Sequence, residues 1–211
     1  MALFLDSALV DEARQAAGLG FVAGATTNPA LVARTGRPAR DVVADLCATL
    51  PGVVFHQVGE APGPALDAEI EAFRQISERV AFKLPCTLAY APVAHDLSRQ
   101  GVICALTAVY SPAQACITAQ TGAAYAIPYV NRATRYCGSG PALVAEIAAV
   151  LEGTECQILA ASLKSPAEVV ETLLAGAQHV TLTWDVLAAM AHHPLTDLAL
   201  EEFARAAGRD A

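Results

Sequence analysis

The chain has 211 residues, 55% of them hydrophobic and 16% charged, a balance that excludes a disordered polypeptide. Thirteen basic residues against 21 acidic ones leave a net charge of -8, which excludes the basic footprint that a nucleic-acid binder needs. This length buries a large core in a single domain, residues 1–211, without disulfide or metal staples.

The first apolar run, Ala2–Ala8, is of strand length. It lacks a basic leader and meets a charge at Asp6, so a strand is expected and a signal peptide is not. A helix is expected from about Val10, and Asp6 stands either as its cap or as a carboxylate at the strand end. The second run, Gly24–Asn28, closes on Thr26-Thr27-Asn28, where an Asn-Pro turn is itself sufficient reason for the asparagine. Helical spacing over Pro38–Leu50 leads to a third strand, Val53–Val58, which carries Gln57 near its end. A helix over Pro64–Glu78 leads to the fourth, Val80–Cys86, which carries Lys83.

Between Arg99 and Arg132 there is no formally charged residue, a stretch long enough to suggest a membrane span. Ser111-Pro112, Gln114, Thr121-Gly122 and Pro128 interrupt it. The better reading is a strand over Val102–Tyr110, a helix over Pro112–Thr121 and a sixth strand over Ala124–Asn131, with no membrane partner. A helix over Pro141–Leu151, a strand over Cys156–Ser162, a helix over Pro166–Ala175 and a strand over His179–Trp184 complete the pattern, and Phe203–Gly208 extends a terminal helix. Prolines mark the first helical turns, with Ser111, Ser139 or Gly140, and Ser165 where caps belong. Gly18, Gly101, Gly122 and Gly176 are expected to close helices. The six cysteines show neither a C-x-x-C pair nor zinc spacing, so they are expected as reduced thiols in a cytoplasmic protein.

Eight strand–helix units of about 26 residues each suit a compact (β/α)8 TIM barrel, and the nearly continuous apolar strands suit a parallel sheet covered on both faces. An open doubly wound sheet is the rival, but Leu5-Asp6-Ser7-Ala8 lacks the glycine-rich turn that often follows its first strand. In a barrel, function collects at the C-terminal ends of the strands. The polar residues there are Asp6, Thr26, Asn28, Gln57, Lys83, Thr107, Tyr129, Arg132 and Ser162 with Lys164, and only the eighth strand offers none. Lys83 stands out because the chain has two lysines in all and a buried lysine is rare. Burial favours its neutral amine, a nucleophile towards carbonyls; equally, its stem could cross the rim and carry the charge to water or Asp6. Arg132 and Ser162 match the cation and hydroxyl that a phosphate monoester requires, and they are also plausible as plain surface and core residues. Cys137-Gly138-Ser139-Gly140-Pro141 either adds backbone amides to such a site or simply starts a helix.

The motifs Phe4-Leu5-Asp6-Ser7-Ala8, Ala25-Thr26-Thr27-Asn28-Pro29, Phe55-His56-Gln57-Val58 and Phe82-Lys83-Leu84-Pro85 occur in this order. They continue with Thr107-Ala108-Val109-Tyr110, Pro128-Tyr129-Val130-Asn131-Arg132, Gly138-Ser139-Gly140 and Leu159-Ala160-Ala161-Ser162-Leu163-Lys164. Over almost its whole length the chain resembles the transaldolase family, most closely its small bacterial fructose-6-phosphate aldolase branch. The resemblance implies a class I aldolase with Lys83 as the Schiff-base lysine on the fourth strand. It implies Tyr129 as acid and base, Gln57 and Thr107 holding a water, and Asp6 among the catalytic groups. Thr26, Asn28 and Ser162 would hold the substrate and Arg132 its phosphate, with no metal or organic cofactor.

Gln57 and Tyr129 resemble the aldolase branch, where transaldolases look to glutamate and phenylalanine. The alternatives are a transaldolase that passes the enamine on, or a catalytically silent sugar-binding barrel. Relatives form pentamers paired as decamers, so a homo-oligomer acting on a sugar or sugar phosphate is expected, although the tail Ala206-Ala207-Gly208-Arg209-Asp210-Ala211 is short. The sequence departs from the family at Ala30, at Ala89-Tyr90, at Ala133-Thr134-Arg135-Tyr136 and at Ile127. The residue before Pro128 is small in relatives and lies by the donor end. Ile127 is therefore expected to crowd the donor hydroxyl, unless its side chain faces the helical layer.

Overall fold

The apolar runs close on themselves. In the computed structural model, which describes residues 1–208, eight parallel strands pair in sequence order and the last pairs with the first. They are β1 (Ala2–Asp6), β2 (Val22–Thr26), β3 (Val53–Gln57), β4 (Val80–Pro85), β5 (Cys104–Val109), β6 (Tyr125–Pro128), β7 (Gln157–Ala160) and β8 (His179–Leu182). The outer layer begins with α1 (Val10–Leu19), α2 (Pro29–Arg34), α3 (Ala39–Thr49), α4 (Pro64–Arg74), α5 (Ala91–Arg99) and α6 (Pro112–Gln120). It continues with α7 (Val130–Cys137), α8 (Gly140–Leu151), α9 (Pro166–Leu174), α10 (Trp184–Met190) and α11 (Pro194–Ala206). The closed sheet is the (β/α)8 barrel rather than the open doubly wound alternative. Arg209-Asp210-Ala211, part of the expected domain and of the short tail, lie outside the described residues.

The period of two along each strand sorts the side chains into two cores. Leu5, Val54, Phe82, Leu106, Ala126, Ile158 and Val180 pack outwards against the helices. Phe4, Phe55, Ala81, Ala105, Ile127 and Leu159 fill the barrel interior. Large and small residues complement one another there, with Phe55 packed edge-on against Phe4 and Tyr125 at centroid distances of 5.9 and 5.7 Å. At the N-terminal end of β3, a Cβ on Gly24 would meet the Val53 carbonyl at 2.0 Å, so only glycine lets β2 and β3 approach there.

Ser111, Ser139 and Ser165 each cap the following helix, their hydroxyls accepting the amides of Gln114, Ala142 and Glu168. Other boundaries differ from expectation. Gly18 lies inside α1, and Gly20, with φ 76°, closes that helix instead. Asp6 does not cap α1; Leu9 occupies that position. The fourth helix stops at Arg74 rather than Glu78, because the chain turns over Gln75–Arg79 to enter β4. Strand β6 ends at Pro128, and Asn131 and Arg132 belong to the first turn of α7 rather than to a strand. All six cysteines are free thiols, four of them buried. No helix among the described residues is long and apolar enough to cross a membrane.

Candidate active site

The C-terminal ends of the strands open into a cavity of about 380 Å³, within the range of small-molecule sites. Lys83 rises from β4 towards its floor, 2% exposed, and its amine donates to the Thr27 carbonyl at 3.1 Å. Burial holds this amine down to about 8, and the nearby Asp6 carboxylate only partly opposes that. A sizeable fraction is therefore neutral near physiological pH, as a carbonyl nucleophile must be.

The Thr26-Thr27 pair organises both ionisable groups. The Thr26 hydroxyl donates to Asp6 Oδ1 at 2.8 Å, while the Thr27 carbonyl receives Lys83. Thr27 is itself fixed by its amide and hydroxyl, both donating to the Phe55 carbonyl. Thr26 is fully buried and does not line the cavity, so its expected contact with substrate is corrected to the support of Asp6. Asn28 serves twice: its Oδ1 caps α2 by accepting the Leu31 amide at 3.0 Å, and the residue also lines the cavity. Gln57, level with Lys83 in the β3–β4 register, lines the cavity with a buried Oε1 that has no partner among the described residues. An amide oxygen left open in this way suits a water or a substrate hydroxyl.

On the far wall Tyr129 leaves β6 and lines the cavity. Its hydroxyl accepts from Thr107 at 3.2 Å, and burial pushes the phenol up. Thr107 is thus also a support beneath the lining. The Arg132 guanidinium lies 5.2 Å from the Tyr129 ring centroid and donates to the Tyr110 hydroxyl at 3.4 Å. Ser162 lines the cavity with φ 61°, a left-handed conformation that a non-glycine residue keeps only when its surroundings impose it. The Asn131 amide, donating to the Ser162 carbonyl at 3.0 Å, is part of that constraint.

Ile127 points into the barrel interior, not to the helical layer, one residue pair below Tyr129. It is fully buried and does not itself line the cavity. The Cys137–Pro141 stretch also stays away: the Gly140 amide is committed to Thr134 and the Ala142 amide to the Ser139 cap. Three residues gain importance over the sequence reading. Lys164 lines the rim, adding a second cation to Arg132. Tyr110 anchors Arg132. Thr181, on the strand that seemed to offer nothing, lies 2.7 Å from the Thr26 hydroxyl. Strand alternation with His179 could have pointed Thr181 inwards, but a single threonine in an apolar run carries little signal.

A family model described as transaldolase/fructose-6-phosphate aldolase matches residues 3–210. Similar curated proteins include a probable transaldolase of Hydrogenobaculum sp. (strain Y04AAS1), 35% identical over 205 residues, covering 96% of this chain and 94% of that protein. Another, from Symbiobacterium thermophilum, is 35% identical over 205 residues, covering 96% and 95%. A probable transaldolase of Desulforudis audaxviator is 37% identical over 205 residues, with the same coverage.

Proposed function

Because this chain belongs to the transaldolase/fructose-6-phosphate aldolase family, a family of Schiff-base aldolases and transaldolases, we propose that it works as a reversible aldolase rather than a transferase. Its substrate is a ketose or ketose phosphate. The products are a dihydroxyacetone- or hydroxyacetone-type donor and an aldehyde such as glyceraldehyde 3-phosphate. The observation that carries this reading is Lys83, a buried amine at a barrel strand end with Asp6, Gln57 and Tyr129 lining the same cavity.

Neutral Lys83 adds to the C2 carbonyl, and the carbinolamine loses water to give an iminium. Tyr129 supplies a proton to the departing hydroxyl and becomes a phenolate, which Arg132 above its ring stabilises. The phenolate, steadied by the Thr107 hydroxyl that donates to it, takes the C4 hydroxyl proton, directly or through a water held by Gln57. The C3–C4 bond breaks, its electron pair flows to the iminium, and the aldehyde leaves. Tyr129 then returns the proton to C3 of the enamine, and water hydrolyses the resulting iminium. A phenol raised by burial is protonated at rest, as the first proton transfer requires. Asp6, Asn28 and Ser162 hold donor hydroxyls, and Arg132 with Lys164 and Ser162 receives a phosphate at the rim.

Borohydride added during turnover with a ketose is expected to leave a reduced adduct on Lys83, read by peptide mass. An unmodified Lys83 under turnover overturns the mechanism. The names of the similar proteins favour a second reading, a transaldolase that passes the three-carbon enamine to an acceptor. Release of free dihydroxyacetone without an acceptor aldehyde supports the aldolase, and release only into a new ketose supports the transferase. The free thiols fit a cytoplasmic setting. No residue of α11 is buried, and the helix exposes Leu195, Leu198 and Phe203. We place that apolar side against a neighbouring copy in a pentamer or decamer; light scattering at the monomer mass overturns this assignment.

A further inference from the structure

The buried contact between β2 and β8 has a direction. Asp6, as a carboxylate, can only accept, so the one proton of the Thr26 hydroxyl is committed to Asp6 Oδ1 at 2.8 Å. The 2.7 Å contact between Thr26 and Thr181 must then have Thr181 as donor. The result is a one-way chain from Thr181 through Thr26 to Asp6. Both threonines are at most 1% exposed, so water does not replace the link between them. The chain ends on the carboxylate that lines the same cavity as Lys83, and consecutive residues at the end of β2 serve the two groups, the Thr26 hydroxyl Asp6 and the Thr27 carbonyl Lys83.

We propose that Thr181 is a positioning residue of the Schiff-base reaction, which through Thr26 fixes the Asp6 carboxylate and so sets how strongly Asp6 holds a proton on Lys83. The inference rests on the aldolase reading above. Donation into Thr26 polarises its hydroxyl and strengthens its bond to Asp6, because chained hydrogen bonds reinforce one another. With Oδ1 held in this way, the carboxylate is less free to swing onto the amine. The other charged or titratable groups lining the cavity are Tyr129, Arg132 and Lys164, and none of them touches this chain. Removing the Thr181 hydroxyl frees Asp6 to hold the ammonium form of Lys83, so the amine becomes harder to deprotonate.

The test uses Thr181→Val, which keeps the shape and removes the hydroxyl, beside Thr181→Ser, which keeps the donor. The chain has only two lysines, so in the full protein labelled with 13C at lysine Cε, Lys164→Arg assigns the remaining signal to Lys83. Titration of that signal reads the amine without any turnover. Thr181→Val is expected to raise the Lys83 midpoint by about half a unit to one unit, the equivalent of one net hydrogen bond. It is expected to lower kcat/KM near neutral pH by about three- to tenfold. Thr181→Ser should restore both. An unmoved midpoint in Thr181→Val, or an equal loss in Thr181→Ser, overturns the proposal. A moved midpoint in a protein whose wild-type Lys83 never traps a ketose overturns the aldolase reading, leaving the hydrogen-bond chain intact but without a reaction to serve.

Discussion

Along β6, Tyr125, Ile127 and Tyr129 alternate inwards, so Ile127 lies directly beneath the residue proposed as acid and base. Its neighbours Phe55, Ala81, Ala105 and Leu159 are apolar, and Thr107, level with it on β5, already donates its hydroxyl proton to Tyr129, so no free donor awaits a hydroxyl pressed towards the barrel axis. Hydroxyacetone, lacking one hydroxyl, is therefore expected to match or exceed dihydroxyacetone as donor. Ile127→Ala should shift the preference towards dihydroxyacetone by at least about tenfold, the equivalent of about 1.4 kcal/mol. The same variant opens a void in a closed core and is expected to lose about 2–4 kcal/mol of stability. The ratio of the two donor kcat/KM values checks the claim, since partial unfolding lowers both alike. An unchanged ratio shows that the donor does not reach as deep as this side chain. At this scale the sequence revealed chemistry better than contact. The lysine stood out by type, and the tyrosine and the glutamine through the family resemblance, whereas the inward turn of Thr26 and Thr107 beneath the lining depends on strand register, which the apolar runs leave free by a residue.

Strands and capped helices were legible because each carries its own local signal: a continuous apolar run, or a serine before a proline. Helix α7 was not, because Val130–Cys137 is polar and starts at Tyr129 without a side-chain cap. Its position owes much to a tertiary bond, Asn131 Nδ2 donating to Glu168 Oε1 at 2.6 Å. Similar long-range bonds hold the loop between β3 and α4, which follows Gln57 immediately. Glu69 on α4 accepts the Gly59 and Glu60 amides and also the buried His56 side chain at 2.8 Å. Tyr90 donates to the Glu60 carbonyl at 3.0 Å, tying this loop to the one after β4. Burial pushes the Glu69 carboxyl up, but His56 and the loop amides pull it down further, below its ordinary value. Its contribution is therefore present above the unfolded carboxylate range and is lost as pH falls through the lower folded one. Glu69→Ala leaves the two loop amides and His56 without their acceptor. It is expected to cost about 2–4 kcal/mol at pH 7, with a smaller deficit near pH 4, whereas Tyr90→Phe should cost about 1 kcal/mol. Urea unfolding at the two pH values measures both. Equal deficits for Glu69→Ala at pH 7 and pH 4 would mean that the carboxylate charge contributes nothing.

Across the whole molecule, a closed barrel with two apolar cores carries a buried lysine at the end of one strand. Folding moves Lys83 from about 10.5 down to about 8. A folded value below the unfolded one means that the unfolded chain binds the proton more tightly, so the group opposes folding wherever the unfolded amine is charged. The opposition is complete below about pH 8, shrinks as pH rises from there to about 10.5, and is absent above that. Its full size is on the order of 3 kcal/mol, less whatever the bond to the Thr27 carbonyl returns. Lys83→Met keeps the length of the stem and removes the charge. It is expected to abolish retro-aldol turnover while stabilising the protein by about 2–3 kcal/mol at pH 7, roughly 4–12 °C in Tm for a chain of this size. At pH 10 most of that gain should be gone, because the wild-type amine no longer carries a proton into the interior. Urea unfolding of both proteins at pH 7 and pH 10 reads the difference. A gain that is the same at both pH values would assign it to methionine packing, and no gain at pH 7 would mean that Asp6 already compensates the buried charge in full.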